Sequence, residues 1–344
     1  MKNILVTGGT GYIGSHTAVE LLQRGYHPIL LDNLSNSREE VVKAIEKITG
    51  KEVPFFNIDL CDTKELQLFF EKFKIDACIH FAALKAVGES VKHPLHYYRN
   101  NLNSLINILE IYQQRKLDNF VFSSSCSVYG ESSTQPVSET TPLSHANSPY
   151  GNTKQIGEEI IQDTIRSSVF HAISLRYFNP AGAHSSALIG EYPTHAPNNL
   201  VPVLTRTAIG KLKSMTVFGD DYDTGDGTCV RDYIHVSDIA RAHVLAIDRL
   251  LNKESKNPYE VFNLGSGKGH SVLEAIGIFE RVTGNKIQYQ LGPRRPGDVP
   301  KVWADTKLAN RELKWKAEKS IDEIMRSAWA WEHFLAATPA SAHS

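Results

Sequence analysis

The chain opens on a short apolar run, residues 3–7 (NILVT), followed at once by a glycine-rich turn and an amphipathic stretch near 12–24. The same alternation fills the first half. Apolar runs at 28–32, 54–59, 76–82, 119–125 and 172–179 alternate with helical patterns near 38–49, 63–73, 95–115 and 149–168. Strands this short and this continuously apolar suit a parallel sheet covered by helices on both faces. Repeated strand–helix alternation with right-handed crossovers predicts an α/β fold built on a doubly wound parallel sheet.

After residue 180 the pattern breaks. NPAGAHSSALIGEYPTHAPNN (179–199) is rich in Pro, Gly and polar residues and reads as a long loop. Irregular strands and helices follow, including helices near 237–252, 271–283 and 319–336. The expected division is a cofactor domain over 1–180 and a smaller mixed α/β C-terminal substrate domain over 181–338. Some of the later segments should return to the first domain, and 339–344 should fray.

Composition excludes more than it selects. With 344 residues, 41% hydrophobic and 22% charged, the chain is an ordinary globular one that can bury a full core. A formal net charge of −1 gives no reason to expect nucleic acid or an anionic membrane as partner. No apolar run approaches the ~18–20 residues that span a bilayer. Cys61, Cys78, Cys126 and Cys229 are scattered, and His93 and His96 lack partners at ligand spacing, so no disulfide framework and no metal site is expected. With no apolar leader before residue 3, a cytoplasmic location is the expectation.

The first chemistry lies in Gly8, Gly9, Gly11 and Gly14, between a strand and an amphipathic helix. Small residues there allow a tight turn, close approach to a pyrophosphate and N–H groups aimed at negative charge. Eighteen residues after Gly14, Asp32 ends the second strand, where a carboxylate can accept both hydroxyls of an adenosine ribose and repel a 2′-phosphate. NAD is therefore expected over NADP. A second glycine cluster, NLGSGKGHS (263–271), fails the P-loop pattern because Gly269 follows Lys268; it reads as a plain strand-to-helix turn.

Two tyrosines stand four residues ahead of a lysine: Tyr112 before Lys116, and Tyr150 before Lys154. Either pair would share a helix face. Tyr112 precedes the fifth strand, near the sheet edge where ligands do not bind, and is expected on a helix surface. Tyr150 follows that strand, beyond its carboxyl end, where Ser125 leaves the sheet. Ser125, Tyr150 and Lys154 are the candidate catalytic set.

Together with the glycine turn and Asp32, this set resembles the extended short-chain dehydrogenase/reductase family, whose fold is of the Rossmann type. The segments HFAALKAVGES (80–90), SPYGNTK (148–154), LRYFNPAGAH (175–184), PNNL (197–200), VRDYIHV (230–236) and RRPGDVPKVWAD (294–305) are similar to the branch of that family that epimerises UDP-hexoses at C4. The likeness runs to about residue 335. It implies that Gly8, Gly11, Tyr12, Ile13, Gly14, Asp32, Asn33, Leu34, Ser35, Asn36, Ser37, Asp59, Leu60, Phe81, Ala82, Ala83, Leu84, Lys85, Asn100, Ser123, Tyr150, Lys154, Tyr177 and Phe178 surround NAD. It implies that Ser125, Tyr150, Asn179, Asn199, Leu200, Phe218, Arg231, Arg295, Asp298 and Val302 hold a UDP-hexose. Two arginines suit a diphosphate, and a carboxylate suits ribose hydroxyls.

The implied reaction interconverts UDP-glucose and UDP-galactose by transient oxidation at C4, rotation of the 4-keto sugar and return of the hydride. Tyr150 is the base, which requires its reference pKa near 10 to fall by roughly three units, about 4 kcal/mol. One positive charge at ~4 Å supplies on the order of 4 kcal/mol at an effective dielectric near 20. A sugar-nucleotide 4,6-dehydratase would share the fold and cofactor. It also needs an acid and a base before VYG (128–130), where this chain has Cys126 and Ser127. A non-catalytic NAD-binding regulator would have no use for the Ser125, Tyr150 and Lys154 set. The small Val302 suggests some activity on UDP-N-acetylhexosamines, and the helices near 95–115 and 149–168 are those by which the family commonly forms homodimers.

Overall fold

The structure, a computed structural model, describes residues 1–132, 134–192, 197, 199–295 and 297–338. The expected frayed tail, 339–344, lies outside the described residues. The first half runs β1 (Asn3–Thr7), α1 (Tyr12–Gln23), β2 (His27–Asp32), α2 (Glu40–Thr49), β3 (Phe55–Asn57), α3 (Thr63–Lys72), β4 (Ala77–His80), α4 (Val87–Lys92), α5 (Pro94–Arg115), β5 (Phe120–Ser125), α6 (Pro149–Ser167) and β6 (Ala172–Tyr177). A 3₁₀ turn, Cys126–Tyr129, leaves β5. Then come β7 (Asn179–Ala181), α7 (Leu200–Ala208), β8 (Met215–Phe218), β9 (Val230–Arg231), β10 (Tyr233–His235), α8 (Val236–Leu251), β11 (Tyr259–Leu264), β12 (His270–Ser271), α9 (Val272–Thr283), β13 (Tyr289–Gly292), β14 (Lys301–Val302), α10 (Lys307–Glu312) and α11 (Ile321–Ala337).

Seven parallel strands form the main sheet in the order β11-β6-β5-β4-β1-β2-β3. The order reverses between β1 and β4, which opens a crevice at the carboxyl edge, the usual ligand position in such sheets. Period-two alternation explains the two cores. Ile4, Val6, Leu30, Ile79, Val121 and Ile173 point to one face, beneath α1 and α8 residues such as Val19, Ile239 and Ile247. Leu5, Ile29, Leu31, Cys78, Phe120 and Phe122 point to the other, with Leu66 of α3, Leu105 and Ile108 of α5 and Ile161 of α6. Each such side chain withdrawn from water contributes about 1.5–3 kcal/mol.

The segment expected as a long loop begins with a strand: β7 pairs in parallel with β10, Asn179 opposite Tyr233. The later half also returns to the main sheet, since β11 pairs along the whole of β6, Tyr259 opposite Ala172 through Leu264 opposite Tyr177. A third core gathers Leu204, Met215, Val217, Ile276, Phe279, Ile324 and Met325. It is framed by α9 and α11, whose first turns are fixed by capping boxes, Ser271 with Glu274 and Ser320 with Glu323.

Candidate active site

Cofactor chemistry is set by how closely β1, α1 and the loop after β4 approach one another. A methyl group on Gly14 would lie 2.2 Å from the Gly8 carbonyl oxygen, and one on Gly8 (φ +67°) 2.8 Å from the Ala82 nitrogen. Only glycine permits both contacts. Gly11 stands at the N-cap of α1 and no side chain caps that helix, so its first N–H groups are open to an anion. Asp32 Oδ1 accepts from Leu34 N (3.0 Å) and Ser37 Oγ (2.9 Å), and Oδ2 from Thr10 N (3.2 Å). That leaves acceptor capacity on the carboxylate for a ribose. Asn33, Leu34, Ser35, Asn36 and Ser37 form the turn so ordered, Ser35 N donating to Asn33 Oδ1 at 3.1 Å. This cradle fits a dinucleotide.

The remaining expected cofactor residues line neighbouring strand ends. Asp59 accepts from Cys61 N at 2.8 Å, and the carbonyl of buried Leu60 accepts from Asn107 at 2.8 Å. Phe81, Ala82, Ala83, Leu84 and Lys85 follow β4, with Phe81 N bonded to Thr7 O at 3.1 Å. Asn101, which the sequence reading did not single out, braces this loop. It accepts from Leu84 N (2.8 Å) and donates to Leu84 O (3.0 Å) and to Thr153 of α6 (3.1 Å). Asn100 Nδ2 donates to Asn101 Oδ1 at 3.0 Å. Tyr12 donates to Gly182 O at 2.6 Å, and Ile13 packs on the core beneath.

The catalytic candidates meet at the end of β5. Pro149 starts α6, and Ser148 caps it by accepting from Gly151 N at 3.1 Å, which places Tyr150 in the first turn. A methyl on Gly157 would lie 2.8 Å from the Phe122 ring, so glycine lets α6 sit directly on β5. Lys154 is thereby buried, and its Nζ donates to the Ser123 carbonyl at 2.6 Å. It stands 6.0 Å from the centroid of the Tyr150 ring. Ser125 Oγ accepts from Ser127 N (3.2 Å) and Ser127 Oγ (3.0 Å), which leaves its own proton to donate. Tyr177 is bonded to Ser123 through their hydroxyls, and Phe178 N donates to Leu264 O at 3.1 Å.

The electrostatics differ from expectation. Burial pushes Tyr150 up to about 12, against a lowering hydrogen bond from Ser125 and with a raising contribution from Cys126. Burial also pushes Lys154 down to about 7, opposed by the charge of Glu158. The phenol therefore starts further from a working base than a reference tyrosine does. Tyr112 also differs: it is no surface residue but lies in the core, packed edge-on against Phe120 and Phe170, its hydroxyl on Asn119 O at 3.3 Å. An amphipathic helix offers two faces, and the spacing of Tyr112 and Lys116 does not say which face is covered.

The expected substrate residues form two groups. Asn179 Oδ1 is buried without a hydrogen-bond partner among the described residues. Arg231 Nη2 lies 3.7 Å from Asp298, which also takes two bonds from Arg295 (3.0 and 2.9 Å). The Arg295 guanidinium lies 5.6 Å from the Phe218 ring centroid. Val302 pairs with Arg231 across β14 and β9 and packs in one apolar cluster with Phe178 and Val128. Asn199 and Leu200 instead begin α7 on the Lys85 side. There Glu191, unmarked by the sequence reading, accepts from both Lys85 (2.9 Å) and Asn199 (2.9 Å) on one oxygen. The second glycine turn is filled from within: buried Asp232 accepts from Ser266 N (2.7 Å), Gly267 N (3.1 Å) and Ala304 N (3.1 Å).

Among the described residues, no group of His, Cys, Asp and Glu is suited to a metal, and no helix is long and apolar enough to cross a membrane. A family profile described as GDP-mannose 4,6 dehydratase matches residues 5–328. Curated relatives are narrower. A UDP-glucose 4-epimerase of Erwinia amylovora is 49% identical over 96% of this chain and 97% of its own length; one of Bacillus subtilis is 48% identical over 96% of each. Solved structures agree. A UDP-glucose-4-epimerase from Stenotrophomonas maltophila with bound NAD and formylated UDP-arabinopyranose superposes with a TM-score of 0.94 at 45% identity, covering 98% of this chain and 99% of that one. One from Bifidobacterium longum in complex with NAD+ and UDP gives 0.93 at 44% identity, covering 97% and 98%. With 48–49% identity to these relatives over 96% of its length, the chain belongs to the UDP-glucose 4-epimerase family.

Proposed function

We propose that this protein interconverts UDP-glucose and UDP-galactose, with NAD held on Gly8, Gly11, Gly14, Asp32 and the loop from Phe81 to Lys85. The observation that carries the reading is the convergence of Ser125, Tyr150 and Lys154 at the carboxyl end of β5, with Ser125 hydrogen-bonded to Tyr150 and Lys154 to the Ser123 carbonyl. When bound, NAD supplies the reversible two-electron oxidation at C4 of the sugar. Tyr150 Oη takes the proton of the 4-hydroxyl, and the Ser125 hydroxyl donates a hydrogen bond to the C4 oxygen, keeping its own proton. Arg231, Arg295 and Asp298 hold the diphosphate and ribose while the 4-keto sugar turns over, and Tyr150 returns the proton on the other face.

Magnitudes apportion the work. Bringing a phenol from about 12 to near neutrality takes about 7 kcal/mol. A Lys154 charge, 6.0 Å from the Tyr150 ring centroid, supplies on the order of 3 kcal/mol at an effective dielectric near 20. Lys154 alone is insufficient, so the remainder falls to Ser125 and to the positive nicotinamide ring. Incubating the purified protein with UDP-galactose, without added reductant or cofactor, tests the function: UDP-glucose should form and reach equilibrium, and an unchanged substrate would sink it.

A broader substrate range rests on Val302, which is small, buried and packed beside Phe178. UDP-N-acetylgalactosamine should also turn over, and Val302→Tyr should abolish that activity first. For assembly, α5 and α6 pack side by side and α5 leaves Leu95 and Ile106 exposed, which supports a homodimer through these helices. Light scattering should give twice the mass of one chain. The dispersed, unbridged cysteines support a cytoplasmic location.

A further inference from the structure

One buried charge cluster behind the catalytic helix has no part in the chemistry above. Glu158 lies one turn beyond Lys154 on α6, so the two share a face. Its carboxylate is 2% exposed and is bonded three ways: Oε1 to Ser124 Oγ (2.5 Å) and Arg176 Nε (2.9 Å), Oε2 to Arg176 Nη2 (2.5 Å). Arg176, on β6 beside Tyr177, also donates to Tyr129 at 3.1 Å. An ion pair this deep adds little net stability compared with an apolar pair of the same shape. Its place one turn from Lys154 points to another role.

We propose that Glu158 is a positioning residue for the reaction: pinned to β5 and β6 by Ser124 and Arg176, its carboxylate holds Lys154 as an ammonium on the Ser123 carbonyl. The inference rests on the epimerase reading. Lys154 is useful to Tyr150 only while charged, yet burial works against that charge. The other groups around the lysine do not supply a negative partner. His80 on β4 is held neutral, down to about 3, by burial and by Lys154 itself. Burial pushes the Cys126 thiol up to about 12, and raises Tyr177 on β6 and Tyr150 itself. Arg176 carries positive charge and opposes Lys154. Among the described residues, Glu158 is the carboxylate whose charge favours the protonated lysine.

The sign of the effect follows. Activity requires Lys154 protonated, so the alkaline limb of the kcat profile reports loss of its proton. Glu158→Gln removes the favourable charge and leaves Arg176 unopposed, so that limb should move at least about one pH unit lower, with kcat at pH 8 down about tenfold. The KM for UDP-galactose should change less than about threefold, because the carboxylate is remote from the diphosphate site. Glu158→Asp keeps the charge and should restore the wild-type limb. Glu158→Gln combined with Arg176→Met removes both buried charges and leaves neither stranded; it should still move the limb lower, and remains informative if Glu158→Gln alone does not fold. Each holoenzyme is assayed over pH 5.5–10 beside wild type. Wild-type turnover establishes the epimerase reading separately. An unshifted limb in Glu158→Gln or in the double variant, or a Glu158→Asp limb displaced as far as that of Gln, would each overturn the proposal.

Discussion

Two neighbouring helices each bring a tyrosine four residues ahead of a lysine, and the two pairs meet opposite ends of the same strand, β5. On α5, Tyr112 is sealed in the core at the amino end of β5, and Lys116 is exposed in a left-handed C-cap. On α6, Tyr150 stands at the carboxyl end of β5 and Lys154 is buried against the Ser123 carbonyl. Equal spacing predicts equal helical geometry, but α5 ends at Arg115 and Lys116 turns out of it at φ +52°, whereas α6 continues through Lys154 to Ser167. The difference comes from which end of the strand each helix turn meets, and from Gly157, which lets α6 lie close enough for Lys154 to reach the backbone.

The largest expected effect separates the two tyrosines. Tyr150→Phe removes the proposed base and should lower kcat by about 10²–10⁴-fold, whereas Tyr112→Phe should leave kcat within about twofold and cost about 1 kcal/mol of stability. Steady-state rates and urea melts of both variants make the check. Next, Lys154→Met should lower kcat about a hundredfold, matching ~3 kcal/mol of lost charge, and move the acidic limb of the profile to higher pH. Lys116→Met should do neither. Normal turnover and an unshifted profile in Lys154→Met would remove the lysine from the mechanism.

The two glycine turns extend the comparison. One has an uncapped helix end facing outward; the other has its N–H groups taken by Asp232. Gly14→Ala drives a methyl to 2.2 Å from Gly8 O and should strip the protein of bound NAD, read by releasing and quantifying the nucleotide. Gly267→Ala meets nothing closer than 3.8 Å but keeps φ +76°, so it should cost about 1–2 kcal/mol and leave cofactor content unchanged.

A smaller, global effect concerns acid. Burial lowers His16 and His80 to about 3 and His235 and His243 to about 4. Their folded values lie below the unfolded value near 6.5, so the unfolded chain binds more protons as pH falls. Stability should be intact above about pH 6.5 and decline steadily toward pH 4. A melting temperature flat across that window would contradict the burial of these rings.

Much of the fold is local in character and is therefore legible in the chain. Strands β1 and β2 carry apolar residues on both faces, and Gly8–Gly14 with Asp32 lie within one strand–helix–strand unit. What escaped notice depends on distant pairing. Nothing near residues 259–264 says that they pair with β6, and nothing in NLGSGKGHS says that Asp232, some thirty residues earlier, fills its turn. Glu158 and Asn101 look like ordinary polar positions on amphipathic helices until their partners on β5, β6 and the loop after β4 come together. The tyrosine's raised proton affinity is likewise a property of burial, which spacing does not encode.

The most direct test follows the hydrogen at C4. UDP-galactose deuterated at C4 is incubated with the purified protein in ordinary water, and the products are examined by NMR. Epimerisation by reversible oxidation at a closed site predicts UDP-glucose with the deuterium retained at C4. Deuterium found at C6 of a 4-keto-6-deoxy sugar, or lost to solvent, would contradict it.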